Sequence, residues 1–346
     1  MAIKTSIIKV SGIKPARAQI RKAATLIQKG GVVVFPTETV YGIGANAFDE
    51  KAARRIFNVK GRPRDNPLIV HVDSLEMAQK MGVIPKKYQK AIKTAWPSPI
   101  TFIVKARAKL PKSVTAGLET VALRMPAHPV ALALIKHSGV PIAAPSANPS
   151  KKPSATTGTQ AAKYFSGKVD AILDSGECFF GIESSIIDLS TLTLLRPGPF
   201  TPEEIRKIFG KKPRISNVTR GLSASDKVIS PGTKYAHYSP DTKMFMSPAK
   251  IKTLIQMLSK LDKRNFAFLG SKESCALVKR EIGCATMPLG KKSNLYEIAQ
   301  NLYSSFNKLD DLGKNFAVIE TFQEQGIGLA LMNRIRKACN NITLEK

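Results

Sequence analysis

Two short motifs, far apart in the chain, carry the residue types that can bind and polarise a polyanion. Lys60-Gly61-Arg62-Pro63 runs on through Arg64 to Asn66-Pro67-Leu68, and Ser146-Ala147-Asn148 follows much later. The first places fixed cations on a proline-stiffened turn. Arg offers a planar fork of donors suited to phosphate oxygens, and Lys adds a mobile point charge. The second supplies neutral hydrogen-bonding groups. Each motif sits where an apolar run breaks into a polar loop. Together they predict a site for a polyanion such as ATP, built without the usual nucleotide motifs. A solvated basic turn is the competing reading of the first.

Other reactive side chains stand at the edges of apolar runs. Pro36-Thr37-Glu38-Thr39-Val40-Tyr41-Gly42 is a hydroxyl-rich loop after Val32–Phe35, at a strand end where α/β folds place ligands. Capping threonines are its bland reading. His71 lies inside Leu68–Val72, where a lone histidine usually belongs to the core. Arg124 interrupts Val121–Met125, and Arg196 ends Leu194-Leu195-Arg196. A guanidinium on a half-buried strand needs an anion, either a structural carboxylate or a substrate. Ser154, Thr156 and Thr157 continue the Ser146 loop, and Glu183-Ser184-Ser185 opens a further strand. Gly42-Ile43-Gly44-Ala45-Asn46-Ala47 spells the dinucleotide pattern G-x-G-x-x-A, but six residues part it from the preceding strand, where that pattern wants an immediate turn. No G-x-x-x-x-G-K-[ST], H-E-x-x-H or G-x-S-x-G occurs.

These residues need a scaffold, and 346 residues favour two domains. Strands are expected at Ile7–Val10, Val32–Phe35, Leu68–Val72, Ile100–Ala106, Val121–Met125, Pro141–Ala144, Ala171–Leu173, Ser185–Leu189 and Thr193–Leu195. Helices are expected at Pro15–Lys29, Glu50–Phe57, Ser74–Met81, Lys86–Ala95, Pro129–His137 and Thr159–Phe165. Some strands are joined too closely for parallel crossovers, so the sheet should be mixed. Residues 1–210 form this first domain. Residues 211–241 have a linker's composition, apart from the aromatic cluster Tyr235-Ala236-His237-Tyr238. Residues 242–346 return to an α/β rhythm, with helices at Pro248–Leu261, Lys272–Ile282, Asn294–Lys308 and Leu329–Cys339 and strands at Phe266–Leu269 and Phe316–Glu320.

The net charge of +29 speaks to partners and favours phosphate-rich ligands or RNA, although the lysines are scattered along the chain. The four cysteines show neither Cys-x-x-Cys nor zinc-ligand spacing and are read as reduced, buried thiols. No apolar run reaches the roughly 18 residues of a membrane span. The N-terminus lacks a signal-peptide core, and a cytoplasmic location is expected.

The motifs together are similar to a known family. The first domain closely resembles the YrdC-like domain, and the whole chain resembles the two-domain threonylcarbamoyl-adenylate synthase family. The resemblance rests on the Pro36–Gly42 loop, Lys60-Gly61-Arg62-Pro63 with Asn66-Pro67-Leu68, Arg124-Met125-Pro126, Ala144–Asn148, Gly181-Ile182-Glu183-Ser184-Ser185 and Leu195-Arg196-Pro197-Gly198. The linker Ser230–Pro240 and the tail Gly326–Arg334 match the long form. Three positions depart from the pattern: Ser98 and Lys151 stand where glycine is usual, and Ser185 where threonine is.

The resemblance implies a YrdC-like mixed twisted sheet with helices, a linker, and a smaller Rossmann-like α/β domain. It implies that L-threonine, bicarbonate (or CO2) and ATP give threonylcarbamoyl-AMP and pyrophosphate. The product feeds threonylcarbamoyladenosine modification of tRNA by a separate tRNA threonylcarbamoyl transferase. Lys60 and Arg62 then serve as catalytic cations on the triphosphate, with Asn66, Thr120, Ser146, Asn148, Ser154, Arg196 and Tyr235 also on ATP. Thr39, His71, Arg124 and Ser184 take threonine, Arg124 its carboxylate. Tyr235 and its neighbours cover the site as a lid. No protein metal site is implied, and Mg²⁺ rides on the phosphates. A weak tRNA contact and no membrane partner are expected. Two rivals remain: an RNA-binding YrdC-like module without its own chemistry, and a carbamoyl-adenylating enzyme like the hydrogenase-maturation carbamoyltransferase. The latter carries zinc-finger cysteine pairs, which this chain lacks.

Overall fold

Apolar spacing explains the first elements. Ile20, Ala23, Ala24 and Ile27 recur on one helical face and are all buried. The next helix starts at Asp49, whose side chain caps the Ala52 amide, and stops at Gly61, whose φ of 61° is left-handed. That stop leaves Lys60 in the last helical turn and Arg62 at the start of the loop.

In the computed structural model, which describes residues 3–223 and 239–344, the first part runs β1 (Ser6–Lys9), α1 (Arg17–Gln28), β2 (Val33–Phe35), β3 (Gly42–Asn46), α2 (Glu50–Lys60), β4 (Ile69–His71), α3 (Leu75–Met81), β5 (Gly82–Val83), α4 (Gln89–Ala95), β6 (Ile100–Ala106), α5 (Lys112–Thr115), β7 (Thr120–Arg124), α6 (Pro129–Ser138), β8 (Ile142–Ala144), α7 (Gly158–Phe165), β9 (Ala171–Asp174), β10 (Ser185–Asp188), β11 (Thr193–Arg196), α8 (Pro202–Phe209), β12 (Arg214–Ile215) and α9 (Asn217–Arg220). The second part runs β13 (Lys243–Ser247), α10 (Ile251–Leu258), β14 (Phe266–Ser271), α11 (Lys272–Glu281), β15 (Ala285–Gly290), α12 (Leu295–Leu309), β16 (Phe316–Glu320) and α13 (Gly328–Ala338).

The first sheet is mixed, in the order β1-β9-β2-β3-β8-β4-β7-β6-β10-β11-β12, with β5 beside β6. Strands β4 and β7 are parallel, with His71 opposite Arg124, while β8 and β6 run against them. Val70, Leu123 and Ala143 enter the main core under α2 and α7. Alternation therefore turns Ile69, His71, Ala122, Arg124 and Ala144 to the other face. Helices α1 and α6 cover part of that face, packing on Val33, Phe35, Ile142 and Ala144.

The second sheet is all parallel, in the order β13-β16-β14-β15. At the N-terminus of α11, where such sheets commonly hold an anion, the chain supplies its own. The Glu320 carboxylate accepts from the Ser271 amide (2.7 Å), Ser271 Oγ (2.9 Å) and Ser274 Oγ (2.9 Å).

The two parts share a packed interface. Val40 and Ile182 belong to the apolar cluster of the second part, with Leu302, Tyr303 and Leu331. Gly181 has a φ of 69°, and a Cβ there would lie 2.3 Å from the Gln300 carbonyl oxygen, so only glycine lets α12 come this close.

Several expectations need correction. Gly42–Asn46, where no strand was expected and whose dinucleotide pattern already lacked the immediate turn, is β3, an internal strand paired with β2 and β8. Helix α8 and strands β13 and β15 were not anticipated. Of the expected linker, residues 214–220 form β12 and α9, and β12 extends the first sheet by pairing with β11. Residues 224–238, including Tyr235 and the cluster around it, lie outside the described residues. The four cysteines are buried free thiols. Among the described residues no helix is long and apolar enough to cross a membrane.

Candidate active site

Lys60, Arg62, His71, Arg124, Ser146, Asn148 and Arg196 line one cleft over the uncovered sheet face. The space between these side chains measures about 690 Å³ when the solvent in its open mouth is counted with it. It does not follow one edge of the sheet. In a mixed sheet, loops reach the same face from both strand ends.

This creates two poles. At the end of β4 that begins with Ile69 lie Lys60, from the last turn of α2, Arg62, from the α2–β4 loop, and Ser146 and Asn148, from the loop after β8. Lys60 Nζ donates to the carbonyl oxygens of Ser146 (2.6 Å) and Asn148 and lies 3.4 Å from Asn148 Oδ1. Ser146 Oγ donates to Asn148 Oδ1 (2.6 Å). Backbone carbonyls orient the Arg62 fork, Nε toward Asn66 (3.3 Å) and Nη2 toward Pro67 (3.1 Å). Burial first, and then the Arg62 charge, hold the Lys60 ammonium well below the usual lysine range, while Glu183 opposes.

At the other end of β4, about 7 Å away along the strand, stand His71 and Arg124. Arg124 Nη2 donates to Glu38 Oε1 and to Thr39 Oγ1, both at 2.8 Å. Thr39 and Thr37 share a further hydrogen bond (2.8 Å). The side chains of the Arg124–Glu38 pair are only 5% and 7% exposed. Glu38 Oε2, Arg124 Nε and His71 Nδ1 are buried without hydrogen-bond partners. Of these residues His71 and Arg124 line the cleft, and unsatisfied polar atoms there are what a polar ligand would complete. A third group closes the cleft: Arg196 Nε donates to the Ser184 carbonyl (2.9 Å) and Nη2 to Ser184 Oγ (3.1 Å), and Ser184 Oγ pairs with Thr101 Oγ1 (2.8 Å).

The remaining expected residues fall just outside the lining. Thr39 and Ser184 support the arginines. Asn66 is buried behind Arg62, with both side-chain polar atoms unpartnered. Ser154 Oγ donates to Glu183 Oε1 (2.6 Å). Thr120 is at the far end of β7 from Arg124 and lines a separate small hollow with Pro67 and Leu68, on the Arg62 side. The carboxylates Glu38 and Glu183 were quoted in motifs without a role. Their signal was their place beside arginines in the fold, which is invisible in the sequence. Of the departures, Lys151 has a left-handed φ of 74°, the geometry that favours glycine. Ser98 Oγ is buried without a partner, whereas Ser185 Oγ donates to the Phe200 carbonyl (2.6 Å). Among the described residues no three His, Cys, Asp or Glu side chains gather to hold a metal ion.

His71 makes a pH prediction. Burial, and then the neighbouring Arg124 charge, push its imidazole down to about 3. The native state thus holds it neutral, while the unfolded state protonates it near its ordinary value. Its contribution to stability is complete above about 6.5 and is lost as pH falls through about 3, at most about 1.4 kcal/mol per pH unit. Urea unfolding of wild type and His71→Gln between about pH 7.5 and pH 4.5 should show the shallower acid loss in the variant. Parallel curves would refute the assignment.

Residues 25–198 match a family model described as telomere recombination, and residues 200–340 match one described as the C-terminal domain of threonylcarbamoyl-AMP synthase. The chain is 42% identical over 326 residues to the threonylcarbamoyl-AMP synthase of Pyrococcus abyssi, covering 92% of this chain and 94% of that one. It is 40% identical over 328 residues to that of Bacillus subtilis, covering 92% of each. A crystal structure of P. abyssi Sua5 complexed with L-threonine aligns with a TM-score of 0.90 at 39% identity, covering 99% of this chain and 100% of that one. E. coli YciO, 23% identical with a TM-score of 0.50, covers 54% of this chain and shares its fold.

Proposed function

Because this chain belongs to the two-domain threonylcarbamoyl-AMP synthase family, we propose that its cleft joins L-threonine, bicarbonate (or CO2) and ATP. The chain is a nucleotidyltransferase-type enzyme that makes threonylcarbamoyl-AMP. The observation that carries the residue assignment is the pair of poles in one cleft, Lys60 and Arg62 at one end and Arg124 with His71 at the other.

In this reading the threonine amine attacks CO2 and loses a proton, giving a carbamate. A carbamate oxygen then attacks the α-phosphorus, and the bond to the bridging oxygen breaks as pyrophosphate leaves. Negative charge gathers on phosphate oxygens, so fixed cations are the main tool. Lys60 and Arg62 take the triphosphate, helped by Arg196, Asn66, Ser146, Asn148 and Ser154. Thr120 marks the nucleotide end beyond Arg62. Arg124 takes the threonine carboxylate, supported by Thr39 and Ser184, and neutral His71 hydrogen-bonds the amino acid. Mg²⁺ belongs to this proposal as an ion carried by the phosphates. The cleft carboxylate Glu183 already faces Arg334, and Glu38, beside the cleft, faces Arg124. The product passes to a tRNA threonylcarbamoyl transferase. The charge of +29 supports a weak tRNA contact as well.

The purified chain with ATP, Mg²⁺ and bicarbonate should release pyrophosphate only when L-threonine is added. Release that ignores the amino acid would point to another acceptor. No release under any of these conditions, with RNA binding intact, would favour a binding module.

A further inference from the structure

The tail motif Gly326–Arg334 lies in the second domain, yet its last residue reaches the first. Arg334, in α13, is fully buried (0% exposed). Its Nε donates to Glu183 Oε2 (3.1 Å) and its Nη1 to the Pro197 carbonyl (2.8 Å). Tyr303 Oη, from α12, donates to the same Glu183 oxygen (3.0 Å). Glu183 in turn lines the cleft with Lys60 and Arg196. Its other oxygen accepts from Ser154 Oγ (2.6 Å), which lies 3.5 Å from Asn148 Oδ1. Asn148 contacts Lys60 through both its carbonyl oxygen and Oδ1. Side chains of the second domain thus hold a carboxylate that lines the same cleft as the Lys60 ammonium.

We propose that Arg334 and Tyr303 are positioning residues of the active site: they fix the Glu183 carboxylate in the cleft wall, where its charge faces the Lys60 ammonium that takes the phosphates. The proposal rests on the reading of the cleft given above. It gives the second domain a direct part in ATP turnover.

The charge balance around Glu183 supports this. The groups facing it are Arg334 and Lys337 from α13, Tyr303 from α12, Arg196 from β11, Lys60 from α2 and the Ser154 hydroxyl. Burial alone would raise its carboxyl, but Arg334, Arg196 and Ser154 outweigh that and hold it below the usual range. Lys337 is pushed down to about 7 by burial and then by Arg334 and Arg196, with Glu183 opposing. Loss of the Arg334 cation therefore favours protonation of Glu183.

The test uses the full chain with Tyr303→Phe, Arg334→Lys and Arg334→Gln, beside Arg220→Ala as control. Arg220 pairs with Glu324 (2.9 Å) across the same two domains without touching Glu183. Expected results are a rise of about tenfold in the ATP KM for folded Tyr303→Phe, with the threonine KM nearly unchanged. Arg334→Gln should lose about a hundredfold in kcat/KM for ATP and move the acid limb of its pH profile up by about one unit, and Arg334→Lys should recover part of both. Arg220→Ala should lower the melting temperature and leave the ATP KM alone. If Arg334→Gln does not fold, Tyr303→Phe and Arg334→Lys decide. An unchanged ATP KM and pH profile in those two, with activity tracking the folded fraction as in Arg220→Ala, overturns the proposal. Absence of threonine-dependent pyrophosphate release in wild type would instead defeat the functional reading. Calorimetric ATP binding to wild type and Tyr303→Phe would then still report whether the Glu183 carboxylate acts on Lys60.

Discussion

Arg124→Ala is expected to raise the threonine KM by about a hundredfold or more while the ATP KM stays within a few-fold. Two losses add. The fork that receives a carboxylate disappears, and Glu38, now 2.8 Å from Arg124 and buried with it, is left without its cation. Breaking such a buried pair costs about 3–5 kcal/mol. The stranded carboxylate would also repel the incoming threonine carboxylate unless it is protonated. Arg124→Lys should fall between, since it keeps the charge but loses the planar fork, in which Nη2 holds Glu38 and Thr39 while the other nitrogens remain for a carboxylate. Steady-state kinetics with each substrate varied separately would measure this. Equal effects on the two KM values would remove Arg124 from the threonine pole.

Lys60→Met tests the opposite pole. It should lower kcat/KM for ATP by about a thousandfold, because a cation aimed at developing phosphate charge in a desolvated site is the largest single catalytic device available here. Methionine keeps the apolar stem in its slot. The Asn148 carbonyl loses its donor, which costs about 1–3 kcal/mol in stability, while the Ser146 carbonyl keeps the Asn148 amide (3.1 Å). A melting curve therefore has to accompany the kinetics, and threonine binding measured directly should persist. A folded variant within tenfold of wild-type kcat/KM would show that Arg62 and Arg196 carry the phosphates without Lys60.

Much of the scaffold was legible. Periodic apolar faces announced α1 and α2 and the core strands β4, β6 and β7, because burial imposes its period on the sequence. Strand β3 was missed because its glycines imitate a nucleotide loop. They are glycines for packing: a Cβ on Gly44 would come within 2.6 Å of Ile142 and 2.7 Å of Phe35. Strand β12 was missed because two residues carry no period at all. Helix α8 does carry a signal, the capping box of Thr201 and Glu204 with Pro202 at its start, which went unread.

The sequence by itself determined the chemistry on offer: cations at Lys60, Arg62, Arg124 and Arg196, hydroxyls at Thr39, Ser146, Ser154 and Ser184, and a turn at Gly61 that lets the first cations leave a helix end. Residue type and local backbone preference are written in the chain. The tertiary structure alone decided which cation meets which anion. The Arg124–Glu38 and Arg334–Glu183 pairs each join residues distant in sequence, through strand pairings and a domain contact. The division of one cleft into a Lys60–Arg62 pole and an Arg124–His71 pole follows from β4 being short and from its neighbours running both ways. Such juxtapositions depend on the order in which strands lie side by side, a property of the packed whole that no local pattern encodes.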